Sequence, residues 1–397
     1  MPGRVGGFDN PPNALVGSAE ACRLLGVKPA TLYAYVSREK LRVIRTPGRK
    51  ARQYLLADVE RLLSRSEARR GHAAVATAAL RWGEPVLDST ITYAGPEGLF
   101  YRGVPARELA KHGTLEGVAD LLWQAEGTTF EPSPAPSSRV SRWVQRFVRL
   151  LPRLATRDAT RGWLSPKAEL ARAAALVGQF AEAMAGAPLR GKGALVPRLG
   201  RALGLTAAHV DVLGAALVLC ADHELNASTF TARIAASAGA DLYACVGAAL
   251  YTVTGVRHGA SCDRLEAMMT GLPRTHLGAV VRKRVERGEG LPGFGHPLYP
   301  KGDPRAEQVF QMLTDAGIAD PRTRDWVRAV GDALGEAPLI DLALVAFARS
   351  ASLPPGAATG LFAFARVLGW VAHVMEQRAQ GALLRPRARY VGPPLQT

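Results

Sequence analysis

Four short segments of the 397-residue chain concentrate side chains able to move protons or grip carboxylates. Ala221-Asp-His-Glu-Leu-Asn-Ala-Ser-Thr-Phe230 follows an apolar helix and puts His223 and Asn226 on nearly one face. Thr254-Gly-Val-Arg-His-Gly-Ala-Ser261 sets His258 among small residues, just before a helix expected over 263–269. The partial positive charge of a helix N-terminus disfavours an imidazolium there. A neutral ring can donate an N–H to a developing oxyanion. Leu291-Pro-Gly-Phe-Gly-His-Pro-Leu-Tyr-Pro-Lys-Gly-Asp-Pro-Arg305 is too rich in glycine and proline for a regular element, and it displays His296, Lys301 and Arg305. An arginine fork suits a carboxylate bidentately. In Ala337-Pro-Leu-Ile-Asp341 the acid sits within an apolar run, where partial burial would raise its basicity. Arg366 lies inside the apolar stretch Leu361–Trp370, and a buried arginine needs an anion, from the protein or from a ligand. Taken singly, these are also a helix end, a packed histidine, a structural loop and an N-cap. Together they describe a polycarboxylate site with two histidines and a carboxylate base, suited to proton abstraction beside a carbonyl.

The elements that must position these groups read as helices. Alanine and leucine are abundant, aromatics make up only 7%, and the hydrophobic share of 48% supports a large core. From Val86 onward a short hairpin over 88–98 is followed by helices to the end, with a surface loop at 131–138. The first 17 residues, rich in glycine, proline and asparagine, are expected to be disordered. Residues 18–64 form a compact unit. A helix behind a Ser18 N-cap, a turn at Gly26-Val27-Lys28, and a second helix opening at Pro29 precede a basic stretch, 41–54. That stretch reads as a two-stranded wing turning at Pro47-Gly48, closed by a helix over 58–63. Residues 65–85 read as a helix plus linker.

The net charge of +16 favours polyanionic partners, whether nucleic acid, phosphorylated cofactors or polycarboxylates, although solvated arginine-rich faces give the same total. The four cysteines show no C-x-x-C spacing, so neither a zinc site nor a redox motif is expected, and a reducing, cytoplasmic setting follows. Residues 1–12 lack the apolar run of a secretory signal. The apolar runs near 212–221 and 339–348 are too short for a bilayer, so no membrane partner is expected.

The residues from about 86 to 397 resemble the citrate synthase family. Ile91-Thr-Tyr93 and Phe100-Tyr-Arg-Gly-Val-Pro-Ala-Arg-Glu-Leu-Ala110 are similar to its "ITY…YRGYPIEELA" pattern, and Asp222-His-Glu-Leu-Asn-Ala-Ser-Thr229 to its "DHExNAST" motif. Gly293-Phe-Gly-His296 with Asp303-Pro-Arg305, Ile340-Asp341, and Arg385-Pro-Arg387 follow in the family's order. The resemblance implies a mainly α, two-domain citrate synthase-like fold, here with a large domain over 86–261 and 346–397 and a small domain over 262–345. It implies that Asp341 removes a proton from the acetyl-CoA methyl group and that His258 hydrogen-bonds the thioester oxygen. His296 would polarise the oxo-acid carbonyl. His223, Arg305 and Arg366 would hold the dicarboxylate oxaloacetate, and Arg385 would reach a partner subunit's site, so a homodimer or higher homo-oligomer is expected. Lys301 is the nearest candidate for a CoA contact. No metal or cofactor is implied beyond acetyl-CoA as co-substrate. Closure would exclude water until condensation is complete.

The sequence departs from the family where "GPxHGGAN" is expected. Here Gly255-Val-Arg-His-Gly-Ala-Ser-Cys262 stands, and the loop after His296 reads Pro297-Leu-Tyr-Pro300; both bear on CoA affinity and on the identity of the oxo acid. The segment at 18–64 resembles the winged helix-turn-helix domains of excisionases and mercury-resistance-type regulators, through Ala21, Leu24 or Leu25, Gly26, Val27, Thr31, Leu32 and Tyr33. Arg38, Arg42, Arg45, Arg49, Lys50 and Arg52 are its candidate phosphate contacts to DNA. Three readings follow: citrate synthase, or a 2-methylcitrate synthase using propionyl-CoA; a DNA-binding regulator whose synthase-derived body senses a ligand; and an enzyme whose module serves assembly.

Overall fold

The computed structural model describes residues 15–37, 41, 43–44, 52–56, 58–59, 62, 87–95, 97–131, 142–255, 257–273, 275–287, 289, 291–296, 298–299 and 302–386. These hold sixteen α-helices and two small antiparallel sheets, so the chain is mainly α, as expected. The chain folds as two units, residues 91–263 with 351–397, and residues 1–90 with 264–350. The sequence places the return at 345/346. One junction between the two units falls after Ser350, so the helix Ile340–Ser350 lies whole within the second.

In the first unit, strands β4 (Thr92–Gly95), β5 (Gly98–Tyr101) and β6 (Val104–Pro105) form a meander, extending the expected hairpin by one strand. Helices α3 (Ala106–His112), α4 (Leu115–Trp123), α5 (Trp143–Arg157), α6 (Pro166–Ala185), α7 (Leu195–Ala202), α8 (Ala207–Cys220), α9 (Ala227–Ser237) and α10 (Leu242–Val253) follow. Their limits are written locally. The Ser165 hydroxyl accepts the Ala168 N–H and Pro166 opens α6, while Gly186 in the left-handed region closes it. Thr206 and Asp241 cap α8 and α10 in the same way.

The core of this unit is α16 (Ala357–Gln380), which packs against α4, α5, α6, α8, α9 and α10. It is long and apolar enough to cross a membrane, yet 94% of its apolar window is buried inside the protein, as in the core helix of a globular fold. A polar stripe at Arg366, Trp370, His373 and Gln377 runs along it at three- and four-residue spacing. Helix α11 (Ser261–Gly271) begins at the end of this segment, and the chain passes into the other unit at 263/264.

The second unit holds α12 (Leu277–Glu286), which packs on α14 (Pro321–Leu334), and α13 (Pro304–Asp315), which packs on α15 (Ile340–Ser350). The same unit includes the N-terminal module. There α1 (Ser18–Leu25) and α2 (Pro29–Ser37) join a sheet of order β1-β3-β2, formed by Leu15–Gly17, Gln53–Leu55 and Val43–Ile44. Leu15–Gly17 therefore departs from the expected disorder: Leu15 pairs with Leu55 and Val16 with Tyr54, which satisfies the strand's backbone groups. Ser18 is not the N-cap; Gly17 holds that position with no side-chain cap, and the Ser18 hydroxyl reaches Tyr54. Ala21, Leu25, Leu32, Leu41, Tyr54, Val59 and Leu62 form the module's own core. The expected disorder of 1–14, the wing's turn, the 65–85 segment and the loop after Glu131 lie outside the described residues.

Candidate functional site

The candidate groups fall in both units and are described in turn. In the first, α8 ends at Cys220 and Asp222 to Leu225 pass without helical structure to α9. Asn226 caps α9, its Oδ1 accepting the backbone N–H groups of Ser228 and Thr229 at 3.1 and 3.2 Å. His223 in this passage is buried, and Glu224, at φ +51°, accepts the Ala94 N–H at 2.8 Å. Asp222 is fully buried. Burial alone would raise its carboxyl, but the hydrogen bond from His373 and the Arg366 guanidinium hold it below the usual carboxylate range. Arg366 Nη1 lies 3.9 Å from Asp222 Oδ1, and its guanidinium stands over the Phe362 ring. Asp222 thus stands as a buried anion beside this buried arginine. Gly369 makes this approach possible: a Cβ there would fall 2.2 Å from Asp222 Oδ1 and 2.6 Å from the Ala221 carbonyl.

His258 sits in a tight turn between α10 and α11, where Gly259 is held so close to Val253 that a Cβ would meet its side chain at 2.4 Å. His258 Nε2 lies 2.8 Å from the Ser228 hydroxyl. That hydroxyl also lies 2.7 Å from Asn226 Oδ1 and receives the Trp370 indole N–H at 3.2 Å. It has one proton for two neighbours. With the proton on the Asn226 side, the ring is the Nε2–H tautomer. Turned toward His258, it leaves the ring proton on Nδ1, available to another oxygen. Burial, aided by Arg366, pushes His258 down to about 4, so the ring is neutral at ordinary pH.

In the second unit, Asp303 organises three candidates. It caps α13 and accepts Arg305 Nε at 2.9 Å and Nη2 at 2.8 Å, a bidentate pair that fixes the guanidinium plane. Its Oδ2 also accepts the Ile340 N–H at 3.0 Å, one residue before Asp341 in the first turn of α15. A backbone bridge between Phe294 and Pro338 and the bond from the Leu339 N–H to the Gly293 carbonyl at 2.8 Å join the histidine loop to the same segment. Asp341 is partly exposed. The Leu298 N–H reaches His296 Nδ1 at 3.2 Å, so that nitrogen accepts and the neutral ring carries its proton on Nε2. Burial and Arg305 push His296 down to about 4, against the opposing pull of Asp303.

The described structure thus gathers His223, His258 and Arg366 in one unit and His296, Arg305 and Asp341 in the other. Arg385 is exposed beyond α16, where Leu384 N–H bonds to the Ser237 hydroxyl at 3.1 Å. Lys301, Arg38, Arg42, Arg45, Arg49 and Lys50 lie outside the described residues. Arg52 is described, its guanidinium 5.2 Å from the Tyr33 ring centroid. Sequence reasoning left Asp222, Ser228 and Asp303 without a site role, although each stands within five residues of a chosen residue in the same motif.

A family model described as "Citrate synthase, C-terminal domain" matches residues 79–387, and one described as "Helix-turn-helix domain" matches residues 15–66. The chain belongs to the citrate synthase family and carries a helix-turn-helix domain at its N-terminal end. It is 34% identical over 191 residues to "Citrate synthase 2" of Bacillus subtilis, covering 46% of this chain and 51% of that protein. It is 35% identical over 196 residues to the 2-methylcitrate synthase of Shewanella oneidensis, covering 47% and 52%. The chain spans about half the length of these curated relatives. The crystal structure of citrate synthase from Thermotoga maritima superposes with a TM-score of 0.67 at 25% identity, covering 79% of this chain and 96% of that one.

Proposed function

We propose that the chain condenses an acyl-CoA, first of all acetyl-CoA, with oxaloacetate and then hydrolyses the thioester, giving citrate and CoA. The observation that carries this reading is the state of His296. With Nδ1 engaged by the Leu298 N–H, its Nε2–H is the donor a polarised carbonyl oxygen needs. Asp341 takes a proton from the carbon next to the thioester, and the electron pair left behind becomes the carbon nucleophile. His258 donates to the thioester oxygen, where negative charge grows, once the Ser228 proton has turned toward its Nε2. The nucleophilic carbon attacks the oxo carbon, whose oxygen takes its proton from His296. Water then cleaves the C–S bond, releasing the thiol and a new carboxylate. His223, Arg305 and Arg366 hold the substrate carboxylates, Lys301 contacts CoA, and Arg385 serves the site of a partner subunit in a homodimer. Free Cys22, Cys220, Cys245 and Cys262 accord with a reducing, cytoplasmic setting.

Propionyl-CoA would undergo the same steps, and the similarity to a 2-methylcitrate synthase keeps it as an alternative acyl donor. The test is CoA release by the purified protein from acetyl-CoA and from propionyl-CoA, with and without oxaloacetate, with Asp341→Ala as control. Release that needs both oxaloacetate and Asp341 supports the condensing enzyme. Absence of release from either thioester removes it.

A second reading rests on the module: a helix pair, a sheet and a core of its own favour binding to duplex DNA. An affinity for DNA that falls steeply with salt would support it. If removal of the module changes only oligomer size, its role is assembly.

A further inference from the structure

Beyond Arg366, helix α16 carries buried polar groups that the proposed reaction does not use. His373 is fully buried, seven residues and so about two turns after Arg366. Its Nε2 lies 3.2 Å from Asp222 Oδ2, and its Nδ1 lies 3.4 Å from Arg233 Nη1. Arg233, also fully buried, is held in turn by Glu376 at 2.7 Å, Gln377 at 2.9 Å and Gln380 at 2.6 Å. A guanidinium can only donate. His373 Nδ1 must therefore be the acceptor, which leaves the ring neutral with its proton on Nε2, directed at Asp222. The two oxygens of Asp222 are thereby divided, Oδ2 to His373 and Oδ1 to Arg366.

We infer that His373, clamped by Arg233 in a single neutral tautomer, is a positioning residue that orients the Asp222 carboxylate and through it the Arg366 guanidinium. This rests on the reading of Arg366 as an anchor for a carboxylate of the oxo acid. Without the Nε2–H, Asp222 Oδ2 would lose its donor and the carboxylate could turn both oxygens to Arg366, closing a bidentate pair. That pair would compete with the substrate for the guanidinium. The charged and titratable groups around the ring are Asp222, Arg233, Glu376, Arg366, Glu224 and Tyr101.

The inference is tested on the full chain in two ways. In ¹⁵N-histidine NMR, with His373→Gln used to assign the signal, His373 is expected as the Nε2–H tautomer. In calorimetric titration with oxaloacetate, His373→Leu is expected to weaken binding about tenfold, as for loss of a hydrogen bond to a charged group. His373→Gln, which can still accept from Arg233 and donate to Asp222, should stay close to wild type, and the KM for acyl-CoA should barely move. An Nδ1–H ring overturns the inference, as does a folded His373→Leu that binds normally. If His373→Leu does not fold, a loss of oxaloacetate affinity in folded His373→Gln overturns it. Failure of the wild type to bind oxaloacetate would remove the Arg366 premise, while the ring signal would report the clamp separately.

Discussion

Asp303 Oδ2 accepts the backbone N–H of Ile340 at 3.0 Å, and this bond ties the cap of one helix to the first turn of another. The same carboxylate grips Arg305 through both oxygens. One side chain therefore sets the plane of a candidate carboxylate anchor and the starting point of the helix that bears Asp341.

Replacing Asp303 by Ala should unfold the protein at lower temperature and abolish oxaloacetate binding. Removing one partner of a buried pair costs about 3–5 kcal/mol. Thermal unfolding together with oxaloacetate titration checks this, and an unchanged melting temperature would contradict it.

Gly369→Ala is expected to damage the other unit. The added methyl would stand 2.2 Å from Asp222 Oδ1, and the nearby Ala221 carbonyl cannot swing away because it accepts the Gly369 N–H at 3.1 Å. Overpacking of this kind costs about 1–3 kcal/mol. Denaturant unfolding measures the loss, and the displaced carboxylate should also weaken oxo-acid binding.

Ser228→Ala removes the hydroxyl that His258 Nε2 meets at 2.8 Å. Turnover should fall by about 10²-fold, toward the lower end of what a positioned proton donor contributes, with the KM for oxaloacetate changed much less. Steady-state kinetics separate the two. Equal loss in both would mean that the hydroxyl supports the fold of the α9 N-terminus instead.

The two histidines give a pH prediction. His258 and His296 are lowered from 6.5 to about 4, so the folded protein binds fewer protons there than the unfolded chain at intermediate pH. Their contribution to stability is complete above pH 6.5 and is lost as pH falls from 6.5 toward about 4. Likewise, the pH profile of kcat/KM should show no acid limb from these histidines between about 7.5 and 6, since the proposed reaction uses neutral rings. A limb centred near 6.5 that vanishes in a His296 variant would contradict the assignment.

Many of the candidate groups can be read from the sequence because they lie in short segments rich in glycine, proline and polar residues. His258, His296, Arg305 and Asp341 stand out for that reason. What could not be read depends on contacts between segments far apart in the chain. Asp303 looks like a simple N-cap until Ile340 arrives 37 residues later. His373 hides in an apolar helix. Its only local signal is that 366 and 373 share a face, and its partner Arg233 is 140 residues away. Strand β1 was equally hidden, since Leu15–Gly17 is a strand only by virtue of Tyr54 and its neighbours.

The place of α16 in the chain has a consequence for biosynthesis. The unit it centres is discontinuous, with residues 91–263 made before the intervening 264–350 and residues 351–397 after it. Until residues 357–380 leave the ribosome, α4, α5, α6, α8, α9 and α10 lack their common packing partner, and Asp222 and Arg233 lack theirs. A nascent chain stalled before residue 357 should therefore expose apolar surface and leave two charges without these partners, the state that recruits chaperones and aggregates. Emergence of α16 completes both the hydrophobic core of this unit and its charge pairing.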